Sequence, residues 1–164
     1  MTHTVTAQGA RPLDALQLSL QGRQLIEASA GTGKTYTITT LVLRLLLQGA
    51  SPTQGPLPLE RILVVTFTNA ATAELRERVR ARIQQMLELL TQDTPEPYDA
   101  DPVLVALAAG LPERTDAIQR LRLALASADE ASIFTIHGFC QRVLQELALD
   151  SASPLDVELT SDAS

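Results

Sequence analysis

Lys34 is the only lysine in a chain whose Lys and Arg residues number 13. It stands in LIEASAGTGKT, residues 25–35, where a short apolar run leads into small residues, two glycines, the lysine and a threonine. Gly31 and Gly33 let the backbone curl so that successive N–H groups converge on an anion. An apolar, helix-prone stretch follows at once, so the positive end of a helix dipole would add to the same spot. Strand, loop and helix in this order are what a phosphate-binding loop needs, and the spacing places Ala28, Ser29, Ala30, Gly31, Thr32, Gly33, Lys34 and Thr35 around the phosphates. Lys34 supplies a compact cation that fits between β- and γ-phosphates where a planar guanidinium does not. Thr35 supplies a hydroxyl for Mg²⁺. One position departs from the general pattern. Ala28 stands where such loops usually begin with glycine, which a residue with negative φ tolerates.

Three further groups could carry chemistry. Asp129-Glu130 has the composition of the acidic pair that orders Mg²⁺ and water in nucleotide hydrolases, but it precedes an apolar strand (132–136) instead of following one. It therefore reads as a surface turn. His137 and Cys140 lie three residues apart, roughly on one helix face. With Cys140 the sole cysteine and His3 the sole other histidine, a zinc site is excluded, and no base or oxyanion partner for a thiol nucleophile is in view. The expectation is that His137 faces a ligand groove at the carboxyl edge of a sheet while Cys140 packs inside. Phe67 directly follows a second apolar strand and is either a core residue or a platform for a nucleobase.

The elements that must position these residues are legible from periodicity. Residues 13–22 read as a turn or loop against the core, 24–28 as a first strand, and 33–48 as the helix after the phosphate loop. RILVVT, residues 61–66, is a strand covered on both faces, which implies a parallel sheet under helices. Thr68 or Asn69 caps the helix that follows, to about Leu90, with Leu75, Val79, Ile83 and Met86 on its apolar stripe. Arg76, Arg78, Arg80 and Arg82 on that helix read most simply as a solvated face, with a DNA-facing patch as the alternative. A Pro- and Asp-rich linker (91–102), helical segments at 103–109 and 113–128, a strand at 132–136 and a helix from about His137 to Leu147 complete the order. Alternating βα units with short loops make this an α/β fold with a parallel sheet flanked by helices.

Composition sets the outer bounds. A chain of 164 residues has room for one domain with a real core, and 3% aromatics without Trp require that core to be aliphatic. A lone cysteine fits a reducing compartment, and the absence of an apolar leader or a run of 18 apolar residues leads to the expectation of a soluble cytoplasmic protein with no membrane partner. The net charge of −6 gives no basic footprint, although arginines gather on one helix and acids in the linker and tail.

Three segments in order, ASAGTGKT (28–35), VVTFTNAATAELRERV (64–79) and FTIHGFCQRVL (134–144), resemble motifs I, Ia and the TxHG-type motif of superfamily 1 helicases of the UvrD/Rep/RecB group. Within that group the phrases LIEASAGTGKT and TIHGFCQR look most like the RecB-type subunits of exodeoxyribonuclease V, whose motif I often starts with alanine. The resemblance implies a partial RecA-like P-loop NTPase domain over residues 13–150, after a disordered 1–12 and before a following segment at 151–164. It implies ATP and Mg²⁺ as cofactors, with Lys34 and Thr35 as the catalytic contacts and Thr35 on the metal. It implies that Gln17 reads the adenine. Thr66, Phe67, Thr68 and Asn69, and with them Thr135, His137 and Gly138, would contact DNA. It further implies single- and double-stranded DNA as partners, RecC- and RecD-like subunits beside them, and a role in double-strand break repair and recombination. No Asp-Glu pair follows a strand, so these residues alone are expected to be inactive. A small P-loop kinase of the shikimate-kinase type and a non-catalytic nucleotide-binding assembly module stand as alternatives. The first would need acceptor-binding residues where this chain has TFTNAAT.

Overall fold

The computed structural model describes residues 13–29, 31–51, 53–92 and 100–151, the last three as backbone only. The expectations for residues 1–12, for Ala30, for most of the acidic linker and for the tail beyond 151 lie outside the described residues.

Thr68 begins the longest element. Its hydroxyl accepts from the Ala71 N–H at 3.1 Å, and helix α2 runs from Asn69 to Thr91. The Thr cap satisfies one of the donors that a helix start leaves open, and no Gly or Pro interrupts the next six turns. Helix α1 (Lys34–Leu47) packs along α2, as does α4 (Arg114–Ala126), while the short α3 (Pro102–Ala109) crosses one end. Leu43, Leu46, Ile83, Met86, Leu107 and Leu121 are buried at these contacts. The core is aliphatic throughout, as the scarcity of aromatics required. Each such side chain contributes about 1.5–3 kcal/mol by leaving water.

Strands β1 (Val64–Thr66) and β2 (Ile133–Thr135) form a two-stranded parallel sheet, with Val64 opposite Ile133 and Thr66 opposite Thr135. Parallel neighbours need a crossover, here supplied by α2, α3 and α4 in series. Arg76 fastens helix to sheet by donating from Nη2 to the Ile133 carbonyl at 2.7 Å. Helix α5 (Ile136–Ser151) starts directly after β2. Short 3₁₀ turns at Leu59–Arg61 and Ala128–Glu130 precede the two strands. This mixed α/β arrangement is that of a partial RecA-like domain.

Two expectations are corrected. Residues 24–28 are not in a strand. They have no strand partner among the described residues, and Leu25 is 86% exposed, because a strand exists only where a neighbour takes up its backbone groups. The arginines of α2 are not one solvated face either. Arg78 and Arg80 are exposed, but Arg76 is half-buried and Arg82 is buried. Much of α2 is exposed, but positions 76 and 82 fall on its packed side, so these two arginines bury their stems and find internal partners.

Arg82 has such partners. Its Nη1 pairs with Asp101 at 2.5 Å, its Nη2 reaches Thr40 Oγ1 at 3.4 Å, and its guanidinium lies 4.6 Å above the Tyr36 ring. The Tyr36 hydroxyl donates to the same carboxylate at 3.0 Å, and Asp101 caps α3 by accepting from the Val103 N–H at 2.8 Å. Burial pushes the Asp101 carboxyl upward, yet the hydrogen bonds from Arg82, Val103 and Tyr36 together hold it below the usual range. Burial raises the Tyr36 phenol.

Candidate functional site

The phosphate loop ends on Gly33, which has φ of 84°, and Gly31 has φ of 78°. Both lie in the left-handed region that other residues enter at a cost, which explains the glycines of the motif. Gly33 is the residue before α1 and offers no side-chain cap, and no acidic residue stands in the first turn. The leading N–H groups of α1 therefore have no intrahelical acceptor and no local anion, which is the condition under which a helix start holds a phosphate. Lys34 lies at this start. Its Nζ donates to the carbonyls of Ser29 at 2.7 Å and Ala28 at 3.1 Å, so the ammonium is drawn back over the loop. Thr32 closes the loop by donating from Oγ1 to the Ser29 carbonyl at 2.7 Å. Thr35 sits half-buried in the first turn of α1.

Several of these residues, though neither Gly31 nor Thr35, line a cleft of about 770 Å³. Ala28, Ser29, Thr32, Gly33 and Lys34 form one part of its wall. Leu13, Asp14 and Ala15 from the preceding turn form another. The volume is of the order that encloses a small molecule. The residues present suit a nucleoside triphosphate with a divalent ion: open backbone donors and the Lys34 cation meet at the start of α1, whose first turn carries no carboxylate, while Asp14 and Glu27 stand elsewhere in the cleft wall. Gln17 is exposed in the adjacent turn, where its N–H donates to the Asp14 carbonyl at 3.2 Å, and it does not line the cleft.

The other predicted residues gather at the carboxyl ends of the two strands. The register that pairs Thr66 with Thr135 brings the segments 66–69 and 135–138 side by side. The Thr66 hydroxyl lies 2.6 Å from that of Thr72 and 3.2 Å from the Thr68 carbonyl, which fixes the turn into α2. Thr135 Oγ1 accepts from the Gly138 N–H at 3.1 Å. A Cβ on Gly138 would stand 3.2 Å from that same hydroxyl, a tight approach that Thr135 would have to yield to by a few tenths of an ångström. Phe67 projects between the ends of β1 and α2 and is 87% exposed, which places it outside the core. His137 and Asn69 are exposed.

Cys140 is exposed, contrary to the expectation that it packs inside. Helix α5 turns only part of its surface to the sheet, and position 140 falls on the other side. Among the described residues, no group of three or more His, Cys, Asp or Glu could hold a metal. Asp129 and Glu130 are exposed in the 3₁₀ turn before β2, and Asp129 lies 3.6 Å from Arg80. The surface-turn reading of this pair agrees with that position. Sequence reasoning missed Arg44 and Arg82. An isolated arginine among leucines, as in LVLRLLL, is the signal that could have marked the first.

The family model described as the UvrD/REP helicase N-terminal domain matches residues 10–162. The chain is 46% identical over 157 residues to the RecBCD enzyme subunit RecB of Escherichia coli (strain K12), an overlap of 94% of this chain and 13% of that protein. It is 46% identical over 159 residues to the protein of the same name from Haemophilus influenzae, covering 93% of this chain and 13% of the relative. The Mycobacterium tuberculosis (strain CDC 1551 / Oshkosh) protein of that name is 41% identical over 135 residues, covering 82% and 12%. The chain thus spans about an eighth of the length of the curated relatives it matches.

Proposed function

The chain belongs to the family of the UvrD/REP helicase N-terminal domain, and on that premise we propose that it is the ATP-binding N-terminal part of a RecB-type DNA helicase subunit. The observation that carries the reading is the open start of α1, with Lys34 beside it, facing a cleft of nucleotide size. The loop amides of 31–33 and Lys34 would hold the β- and γ-phosphates, and Thr35 would hold Mg²⁺. Bound Mg²⁺ bridges phosphate oxygens and neutralises charge that develops during transfer. The chain's own part is to bind, orient and shield the triphosphate.

The paired strand ends supply the second half of the proposal. Thr66, Phe67, Thr68, Asn69, Thr135, His137 and Gly138 lie along one edge, on which Phe67, Thr68, Asn69 and His137 are exposed and Thr66, Thr135 and Gly138 are half-buried. Such an edge suits single-stranded DNA, where stacking serves every base and hydroxyls meet the backbone. The name of the relatives, RecBCD enzyme subunit RecB, supports RecC- and RecD-like partners. Beyond that name, the subunit is proposed to work in the cytoplasm, consume ATP while moving on DNA, and serve break repair and recombination. The family and the relatives do not support the small-molecule kinase reading.

The 164 residues by themselves are proposed to bind nucleotide without useful turnover, since no acidic pair follows a described strand. The test is titration of the purified protein with a fluorescent ATP analogue and Mg²⁺, alongside a phosphate-release assay with and without oligonucleotide. Binding in the wild type and its loss in Lys34→Ala, with no DNA-stimulated phosphate release in either, is the expected result. Robust DNA-stimulated hydrolysis that Lys34→Ala removes would overturn the claim of inactivity. Unchanged binding in Lys34→Ala would overturn the site.

A further inference from the structure

Arg44 lies on α1 ten residues beyond Lys34, so at about 1.5 Å rise per residue it is roughly 15 Å from the phosphate end of the helix. It is too distant to touch a phosphate held there. It is also buried among leucines, where an aliphatic side chain would pack without desolvation cost. What it does instead is specific. Its Nη1 donates to the Ala15 carbonyl at 2.7 Å and to the Leu18 carbonyl at 2.8 Å. These two carbonyls bracket Gln17. Its Nε is buried without a partner, and burial lowers its pKa from the ordinary arginine value, Asp14 opposing that shift. Arg76 and Arg82 carry a buried, unpartnered Nε as well, but Arg44 is the one of the three that lies beneath the turn 13–18.

Leu16 packs this turn against the core, and Arg44 and Asp14 supply its polar ties. Asp14 closes it from the exposed side, accepting from Leu16 N–H at 2.8 Å through its side chain and from the Gln17 and Leu18 N–H groups through its carbonyl. No strand or helix includes it. Yet Leu13, Asp14 and Ala15 line the same cleft as the phosphate loop. A nucleotide whose phosphates occupy the loop and the start of α1 must rest its ribose or base on walls that the loop does not supply, and this turn is one.

We propose that Arg44 is a positioning residue for nucleotide recognition: its buried guanidinium fixes the 13–18 turn as the wall that receives the base and ribose, while the loop takes the phosphates. This rests on the nucleotide-site reading above. It separates two parts of one ligand, and the parts can be probed separately.

The test compares displacement of a fluorescent ATP analogue by ATP and by inorganic tripolyphosphate, each with Mg²⁺, in the wild type, Arg44→Met and Arg44→Lys. Arg44→Met is expected to weaken ATP about tenfold, as the loss of a positioned contact does, and to leave tripolyphosphate within about twofold. Arg44→Lys keeps the charge but not the planar donor group, so a smaller loss of about threefold, again confined to ATP, is expected. Should Arg44→Met not fold, Arg44→Lys carries the comparison alone. Equal weakening of both ligands would show that Arg44 merely supports the fold and would overturn the proposal, as would unchanged ATP affinity in both variants. A wild type that binds neither ligand would instead overturn the nucleotide-site reading itself.

Discussion

Replacing Asp101 with Asn isolates the charge that Arg82 depends on. The amide keeps the acceptor that caps α3 and faces the Tyr36 hydroxyl, so the cap and the shape survive. What is lost is the anion beside a guanidinium whose side chain is 8% exposed and whose Nε already lacks a partner. Thr40 at 3.4 Å and the Tyr36 ring are all that remain to it. Leaving one buried charge without its counterion typically costs about 3–5 kcal/mol, and the retained amide places this case near 3. For a chain of 164 residues that corresponds to a fall in Tm of about 6–12 °C. Arg82→Met removes the other partner. Asp101 is 25% exposed and can regain water, so this change should cost far less, about 1 kcal/mol. Urea unfolding of both variants tests the asymmetry. Acid supplies an independent check. The folded-state pKa of Asp101 is depressed, so its contribution is fully present above the unfolded value near 3.9 and is lost as pH falls through the lower folded value. The gap between wild type and Asp101→Asn should therefore be constant from neutral pH to about 5 and close below about 4. An Arg82→Met cost equal to or above that of Asp101→Asn, or a gap unchanged at pH 3, would refute the reasoning.

Gly49→Ala should destabilise by more than about 2 kcal/mol in urea, through forced positive φ and steric overlap. The new Cβ would lie 1.7 Å from the Gly55 carbonyl oxygen at a φ of 78°. Gly110→Ala, which meets nothing nearer than 3.7 Å, is the matched control and should stay within about 0.5 kcal/mol. Phe67→Ala should weaken binding of a fluorescent oligothymidine by about 1–3 kcal/mol, read by anisotropy, with Tm unchanged because the ring is exposed. Thr68→Ala removes the cap of α2 and should lower stability by about 1 kcal/mol.

The shape of the glycine loop and the helix after it were legible because both rest on local chemistry: two glycines at positive φ and a leucine stripe at helical spacing. The same holds for α2, whose start at Thr68 follows from one capping hydroxyl. Where partners come from far along the chain, the sequence was silent or misleading. Residues 24–28 have the composition of a strand, but a strand requires a neighbour. Arg82 reads like Arg78 and Arg80 until Asp101 and Tyr36, 19 and 46 positions away, are seen beside it. Cys140 was expected inside because cysteines usually are, yet which side of α5 meets the sheet depends on the register of β2. For the edge formed by Thr66 and Thr135, each half was visible in its own segment, and only strand pairing shows that they adjoin.

Lys34, finally, holds two carbonyl oxygens of its own loop. On the proposed nucleotide reading, an arriving triphosphate would have to take the ammonium away from them, so capture would be an exchange of partners instead of a simple addition. Part of the attraction is cancelled by bonds that break, and the net gain per contact is modest. The consequence is kinetic. A charged ligand can collide with the cleft at the rate diffusion allows, but engagement waits on the lysine swinging free, so association should saturate with concentration as a two-step process.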